Sequence, residues 1–332
     1  MKRPGRSSLL RAVISAGLLV LLFGFVVHPS EVLAQLRVAL ARPGYVLAAV
    51  LLYCVLGSIV RGYRWRTLVR SQGLPISVGR ASELFLVGTF FNQFLPTGIG
   101  GDVVRVLMVA RDGLGRVRAA NTVIVDRALG LLPQFALGLV AVAAARQHAT
   151  TTVAMTLVAS GMAGVIGLIV LFRADVWGPY AARLWGVDRI WRRPSVSRFA
   201  DSFRQYDSGA LVTATAWGVA FAFLQVGSNA TLGRSLGITQ MNLLDWAIFV
   251  PLVALSTLLP SIGGWGVREV LYVGLLGQLS PPVSQVDATA LSIMIGGLNL
   301  LVAAAGGVLL ALGTSAGLPS FGRLMGEAKA EE

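Results

Sequence analysis

The sequence predicts an all-α integral membrane protein with six full spans and two re-entrant helical hairpins arranged as an inverted repeat. Of its 332 residues, 55% are hydrophobic and only 13% are charged. Several apolar runs reach the roughly 20 residues that a helix needs to cross a bilayer. A soluble globular fold of this composition would expose too much apolar surface, so that class is excluded.

A repeated motif interrupts two of the apolar runs and predicts the two hairpins. Residues 95–105 and residues 259–269 both contain Leu-Pro-(Thr/Ser) followed by Ile-Gly-Gly-x-x-Val-Arg. Proline and paired glycines disfavour a continuous helix, so each copy predicts a break between two half-helices. Matching interruptions in two halves of a membrane chain are typical of a transporter site. The predicted break residues are Pro96, Gly100 and Gly101 in the first copy and Pro260, Gly263 and Gly264 in the second.

Charge and rare residue types limit the kind of site. The net charge is +13, and every basic residue except Lys2 and Lys329 is an arginine. Beside membrane spans these charges indicate topology and lipid contact, and we expect no nucleic-acid partner. Cys54 is the only cysteine, and His28 and His148 lie far apart, so we predict neither a metal site nor a cofactor.

Residues 1–43 are predicted to form the first span and an outside loop. A basic segment precedes the apolar run 9–27, which places the start of the chain in the cytoplasm. The alternative is a cleaved signal peptide, but the run is longer than the usual apolar region of one. Residues 28–43 then form a short outside segment.

Residues 44–145 are predicted to form the first repeat of span, hairpin and span. The span 44–60 is followed by arginines and aromatics at 61–66, which indicate a cytoplasmic interfacial anchor or, alternatively, a contact with lipid head groups. The apolar runs within 83–110 are each too short to cross the bilayer, so together they predict a hairpin that enters from the cytoplasm. Residues 119–145 form the closing span.

Residues 146–208 are predicted to connect the two repeats. They contain a span at 151–172 and a basic, tryptophan-containing stretch at 173–208, interpreted as a cytoplasmic segment that lies at the interface and contacts anionic lipids. The second repeat, 209–312, has a hairpin at 243–279 that enters from outside. Residues 313–332 are predicted to be a disordered cytoplasmic tail.

The distribution of basic residues supports this topology. Predicted cytoplasmic segments contain 21 basic residues and outside segments contain four. Three spans separate the hairpins, so they enter from opposite sides and the repeats are inverted. The prediction is a multi-pass protein of the inner cell membrane with both termini in the cytoplasm.

Six ionisable residues are predicted to lie at membrane depth, where each would be costly if it faced lipid. Asp102 and Arg105 are one helical turn apart and should pair, whereas adjacent Arg268 and Glu269 should diverge. Asp126 and Arg127 should diverge as well, with Arg127 reaching the first hairpin. One interpretation is a structural salt-bridge network. The other is that the arginines bind an anionic head group, with half-helix N-termini aimed at the same place. These residues are Asp102, Arg105, Asp126, Arg127, Arg268 and Glu269.

Polar residues stand at matching places before the two breaks. Asn92 and Gln93 precede the first break, and Ser256 and Thr257 precede the second. They either line the cavity or satisfy broken backbone hydrogen bonds.

These motifs resemble the lysylphosphatidylglycerol synthase transmembrane-region family, also called the flippase-like domain family. The similar stretches are residues 91–96, 100–105, 126–127 and 260–269, and the resemblance covers roughly residues 10–315. It implies an inner-membrane protein related to the flippase half of the multiple peptide resistance factor, which moves aminoacylated phosphatidylglycerol outward. Other relatives accompany polyprenyl-linked glycosyltransferases. No soluble aminoacyltransferase domain follows the last span, so we do not expect the synthase activity.

The predicted function is therefore a flippase rather than an enzyme. It would move an anionic or aminoacylated phospholipid, or a polyprenyl-linked intermediate, through a polar groove between the hairpins. The alternatives are a membrane partner subunit of a lipid-linked glycosyltransferase, or an enzyme acting on a lipid head group. The sequence predicts no oligomeric state.

Overall fold

The computed structural model describes residues 16–94, 100–144, 150–173, 199, 201–259, 261–279 and 281–312. Of these residues 84% are helical, and none is in a strand. The all-α prediction is therefore confirmed for this part of the chain. The start of the predicted first span, most of the basic stretch 173–208 and the tail 313–332 lie outside it.

The chain begins with two helices separated by a break at Val27 and His28. Helix α1, Ala16–Gly24, continues as a π-helical turn, and α2 covers Pro29–Leu40, with proline at its first position. Proline fits this position because its missing N–H would have no partner inside the helix. The residues predicted as an outside loop are thus largely helical.

Helix α3, Pro43–Ser71, is longer than the predicted span 44–60. It includes a π-helical turn at Leu51–Leu56 and continues through the arginine-rich stretch. Arg61, Arg64 and Trp65 are buried, so the prediction of an interfacial anchor there is wrong. The physical reason is helical periodicity, because these three residues share one face with buried Leu68, and that face packs inward.

Helices α4, Val78–Phe94, and α5, Gly100–Arg111, form an antiparallel pair on either side of the first break. They begin and end slightly outside the predicted hairpin 83–110. Arg80 at the start of α4 forms two hydrogen bonds of 2.9 Å to Asp112, just after α5. The hydrogen bonds to Asp112 raise the pKa of Arg80. They also join the start of α4 to the end of α5.

Helices α6, Arg116–Ala144, and α7, Thr151–Phe172, complete the first half. The second half contains α8, Ser208–Ser235, α9, Leu243–Ala254, α10, Val267–Leu276, and α11, Gln285–Ala311. A 3₁₀ turn, Leu255–Leu258, extends α9 toward the second break. In that break Gly263, Gly264 and Gly266 have φ of 57°, 83° and 86°, a backbone region that residues with a Cβ rarely occupy.

Five described helices are long and apolar enough to cross a membrane: α3, α6, α7, α8 and α11. The count rises to six if α1 and α2 together form one broken span. The chain is therefore a multi-pass membrane protein. Helices α4, α5, α9 and α10 contain 17, 12, 12 and 10 residues and are not among the five.

The helices of the two halves interlock. Helix α3 packs along α8, α4 packs along α11, and α9 packs along α6. The largest apolar cluster includes Tyr53, Phe135, Phe221, Trp246 and Leu291, which come from both halves. The two halves thereby form one helical bundle.

A close backbone approach holds α4 against α5. A Cβ on Gly101 would overlap the carbonyl oxygen of Gly88, and the carboxamide of Asn92 as well. We expect Gly101→Ala to lower the melting temperature in detergent by about 1.5–4 °C, since overpacking costs roughly 1–3 kcal/mol.

Gly79→Ala is the matched control, because a Cβ on that residue of α4 meets nothing within 4 Å. Equal melting temperatures for Gly101→Ala and the unchanged protein would contradict the close approach of the two helices.

Candidate functional site

A cavity of about 330 Å³, lined by charged, polar and apolar side chains, lies where the end of α4 and the start of α5 meet the turn of the second break. The turn of the second break touches the end of α4, because a Cβ on Gly263 would lie 2.5 Å from Nε2 of Gln93. Both halves of the chain contribute charged side chains to the wall. These are Arg61, Arg64, Asp102, Arg105, Asp126, Arg127 and Arg268.

Asp126 is the centre of the charged wall. It is 1% exposed and accepts hydrogen bonds from Nε of Arg64 at 2.7 Å and from Nη2 of Arg105 at 2.9 Å. The three residues lie on α6, α3 and α5, so one carboxylate joins three helices. Bonds between ionised groups are stronger than neutral ones, particularly in a dry site.

Asp102 joins the remaining cations of this wall. One of its oxygens pairs with Nε of Arg127, and the other lies 3.8 Å from Nη1 of Arg105. The predicted Asp102–Arg105 pair is therefore confirmed. Arg127 also reaches the first hairpin as predicted, while Asp126 points to a different set of partners.

Arg105 is held flat between aromatic rings and a glycine. Its guanidinium carbon lies 4.1 Å from the ring centre of Trp65 and 4.9 Å from that of Phe85. A Cβ on Gly88 would lie 2.5 Å from Cγ of Arg105, so the glycine leaves the space that this side chain occupies. Cation–π contacts of this kind strengthen when the pair is desolvated.

Arg268 and Glu269 form an ion pair at 2.8 Å, so the prediction that these adjacent side chains diverge is wrong. Glu269 is the third residue of α10, and its other oxygen accepts from the backbone N–H of Gly266 at 2.6 Å. This capping contact turns the carboxylate back toward the start of the helix, within reach of Arg268. Ser292 of α11 bonds to both side chains.

Glu269 is fully buried and is not part of the cavity wall. Its predicted direct role in substrate binding is therefore unsupported, and it acts as the counter-charge of Arg268. Arg268 lines the cavity, and its guanidinium carbon lies 4.6 Å from the ring centre of Trp265.

Arg61 is a wall residue that the sequence analysis did not place in the site. It is 8% exposed, and its hydrogen bonds go to the carbonyl of Gly57 and the hydroxyl of Ser58. Its guanidinium carbon lies 4.8–5.2 Å from the ring centres of Phe221, Phe85 and Tyr53. Within the described residues it forms no salt bridge.

The four polar residues predicted beside the breaks all line the cavity: Asn92, Gln93, Ser256 and Thr257. Asn92 accepts a hydrogen bond from the backbone N–H of Gly101 at 2.9 Å, so it also satisfies broken backbone. The hydroxyl of Thr257 donates to the carbonyl of Ala254. Ser256 is buried.

The predicted break residues are partly described. Gly100 and Gly101 begin α5, and Gly263 and Gly264 form the second turn. Pro96 and Pro260 lie outside the described residues.

The charges of the site do not balance. The wall carries five arginines and two aspartates, and Glu269 lies directly behind it. The described groups therefore leave an excess of two positive charges. Buried charges of one sign favour binding of a group of the opposite sign.

The fold and this cavity define a multi-pass helical membrane protein with a buried, arginine-rich polar site. The chain belongs to the lysylphosphatidylglycerol synthase TM region family, whose family model matches residues 8–307. The family fits a function related to membrane lipids. No curated protein and no solved structure matches the chain.

We expect Asp126→Asn to destabilise the protein far more than Asp112→Asn, although each removes one carboxylate that pairs with arginine. Breaking the buried pair leaves Arg64 without a counter-charge and Arg105 with only the 3.8 Å contact to Asp102, and costs about 3–5 kcal/mol. The Asp112 side chain is 25% exposed, so water replaces its partner at a cost of up to ~1 kcal/mol.

Thermal unfolding of both variants in the same detergent measures the difference. Equal shifts for the two variants would contradict the central role assigned to Asp126.

Proposed function

We propose that the protein is a lipid flippase of the inner cell membrane. The polar head group crosses through the arginine-lined cavity while the acyl chains stay in the bilayer. The observation that carries the proposal is that two broken helical segments, one from each half of the chain, meet around an excess of buried positive charge. Charge at membrane depth is costly and marks substrate pathways.

The packing of the helices supports an inverted repeat. Exchanging α3 with α8, α4 with α9, α5 with α10 and α6 with α11 leaves the α3–α8 contact in place and maps two other contacts onto each other. The α4–α11 contact becomes the α9–α6 contact, and α5–α6 becomes α10–α11. Such a pattern is expected when two similar units are related by a pseudo-two-fold axis in the membrane plane.

The lengths of the short helices support re-entrant hairpins. At 1.5 Å per residue, α4 and α5 measure about 26 Å and 18 Å, and α9 and α10 about 18 Å and 15 Å, against a core of about 30 Å. Each pair enters and leaves by the same side. The proposed topology has six spans, with α1 and α2 forming the first, and one hairpin entering from each side.

Arginine distribution supports the orientation of this topology. Arg61 and Arg64 line the cavity, so they are not counted among the cytoplasmic residues. The cytoplasmic segments then contain 19 basic residues and the outside segments contain four. The proposed orientation has both termini in the cytoplasm. Rocking of one repeat against the other would open the cavity to each side in turn.

Head-group movement depends on the cavity arginines in this proposal. A charge-assisted hydrogen bond contributes about 1.5–3 kcal/mol, so losing one should slow transport about tenfold or more. We expect this for Arg105→Gln, because Asp126 keeps Arg64 as a partner. We expect the same for the double variant Arg268→Gln with Glu269→Gln, which removes the second pair without leaving a lone charge.

The measurement is the movement of acyl-labelled fluorescent lipids across proteoliposomes, followed by quenching of the outer leaflet. Arg70→Gln is the control, since it removes an exposed arginine of α3.

Head-group chemistry by the purified protein in detergent would instead favour an enzyme. Loss of a partner glycosyltransferase's activity that does not depend on Arg105 would favour an accessory subunit.

Cysteine labelling tests the opposite entry of the hairpins. In a Cys54→Ser background, an impermeant maleimide should label Gly115→Cys, after α5, only in inside-out vesicles. It should label Gln278→Cys, after α10, only in right-side-out vesicles. Both native residues are exposed, and α5 and α10 end just before them. Labelling of both from one side would rule out the inverted topology.

A further inference from the structure

We propose that the cavity selects an acidic head group that carries uncharged hydroxyls, such as a phosphodiester-linked polyol, and discriminates against a cationic aminoacylated one. This inference rests on the flippase function proposed above and names the substrate class of the same site. It rests on which partner each charged group of the cavity wall has.

No carboxylate of the described wall is free to bind an ammonium group. Asp126 is taken by Arg64 and Arg105, and Asp102 is taken by Arg127 and Arg105. Glu269 lies behind the wall and pairs with Arg268. A lysyl or other aminoacyl group would therefore add positive charge to a site that already has an excess of it.

Several hydrogen-bond donors on the wall are without partners. Nη1 of Arg64, Nε of Arg105 and Nε2 of Gln93 are buried, and none of them is hydrogen-bonded. Arg64 and Arg105 are each 4% exposed. Buried donors are costly when they stay unsatisfied, so rotation of these side chains toward an anion with several acceptor oxygens in the cavity would be favourable. A phosphodiester has that chemistry.

Arg61 adds a cation whose charge no described carboxylate balances. It is enclosed by the rings of Tyr53, Phe85 and Phe221 and faces the same cavity. The aromatic rings stabilise the guanidinium group but do not neutralise it. An anionic guest would supply the missing counter-charge.

A neutral polar wall adjoins the charged one. The side-chain oxygens of Gln134 and Gln225 are buried acceptors without a partner, and both residues line the cavity. Such acceptors bind hydroxyl groups without balancing a positive charge. The cavity of about 330 Å³ lies within the size range of small-ligand sites.

The test compares three acyl-labelled lipids in proteoliposomes of the full-length protein: phosphatidylglycerol, lysylphosphatidylglycerol and phosphatidylcholine. Phosphatidylglycerol should cross at least tenfold faster than the lysyl form. Equal or faster transport of the lysyl lipid would overturn this inference and leave the flippase function standing. Failure of all three lipids to cross would overturn the proposed function, and this inference with it.

Arg61 supplies the matched variants, because its removal leaves no described carboxylate without a partner. Arg61→Gln should reduce the rate ratio of phosphatidylglycerol to the lysyl lipid about tenfold, whereas Arg61→Lys should retain most of it. Arg70→Gln should leave the ratio unchanged, since this exposed residue lies outside the wall. An unchanged ratio in correctly folded Arg61→Gln would overturn the charge argument.

Discussion

Asp126 lies between Arg64 and Arg105 and connects three helices in the part of the chain where water is scarce. A lone carboxylate or guanidinium group there would be expensive, so each group depends on the others for its burial. The same cluster that stabilises the bundle therefore builds the cavity wall. Its two ion-paired aspartates cannot balance all the arginines, so the cavity wall keeps an excess of positive charge.

Glycines allow this cluster to form. Arg105 lies over Gly88, Arg64 over Gly130, and Arg268 over Gly296, in each case where a Cβ would crowd or overlap the arginine side chain. The absence of a Cβ at these positions leaves the space that the arginine side chains occupy. Helix packing at small residues is common in membranes, and here the space is taken by charged side chains rather than by another backbone.

Some features of the site could be predicted from the sequence. The Gly-Gly motif indicated where the second break lies, and the one-turn spacing indicated the Asp102–Arg105 pair, whereas Gly100 and Gly101 are the first residues of α5. Arg64 was missed, although its spacing from Trp65 and Leu68 indicates a buried face. Arginine and aromatics after an apolar run are equally typical of an interfacial anchor, and only packing against α6 distinguishes the two cases.

The sequence by itself determined the membrane class, the family and the position of the second break, because these depend on composition and local backbone preferences. The tertiary structure decided which charges meet. Arg268 pairs with its own neighbour Glu269 because a helix cap turns the carboxylate back, and Asp126 binds Arg64 from 62 residues away. Long buried side chains pair with whichever counter-charge the packing brings within reach. The spacing of two residues along the sequence does not give the distance between them in the fold.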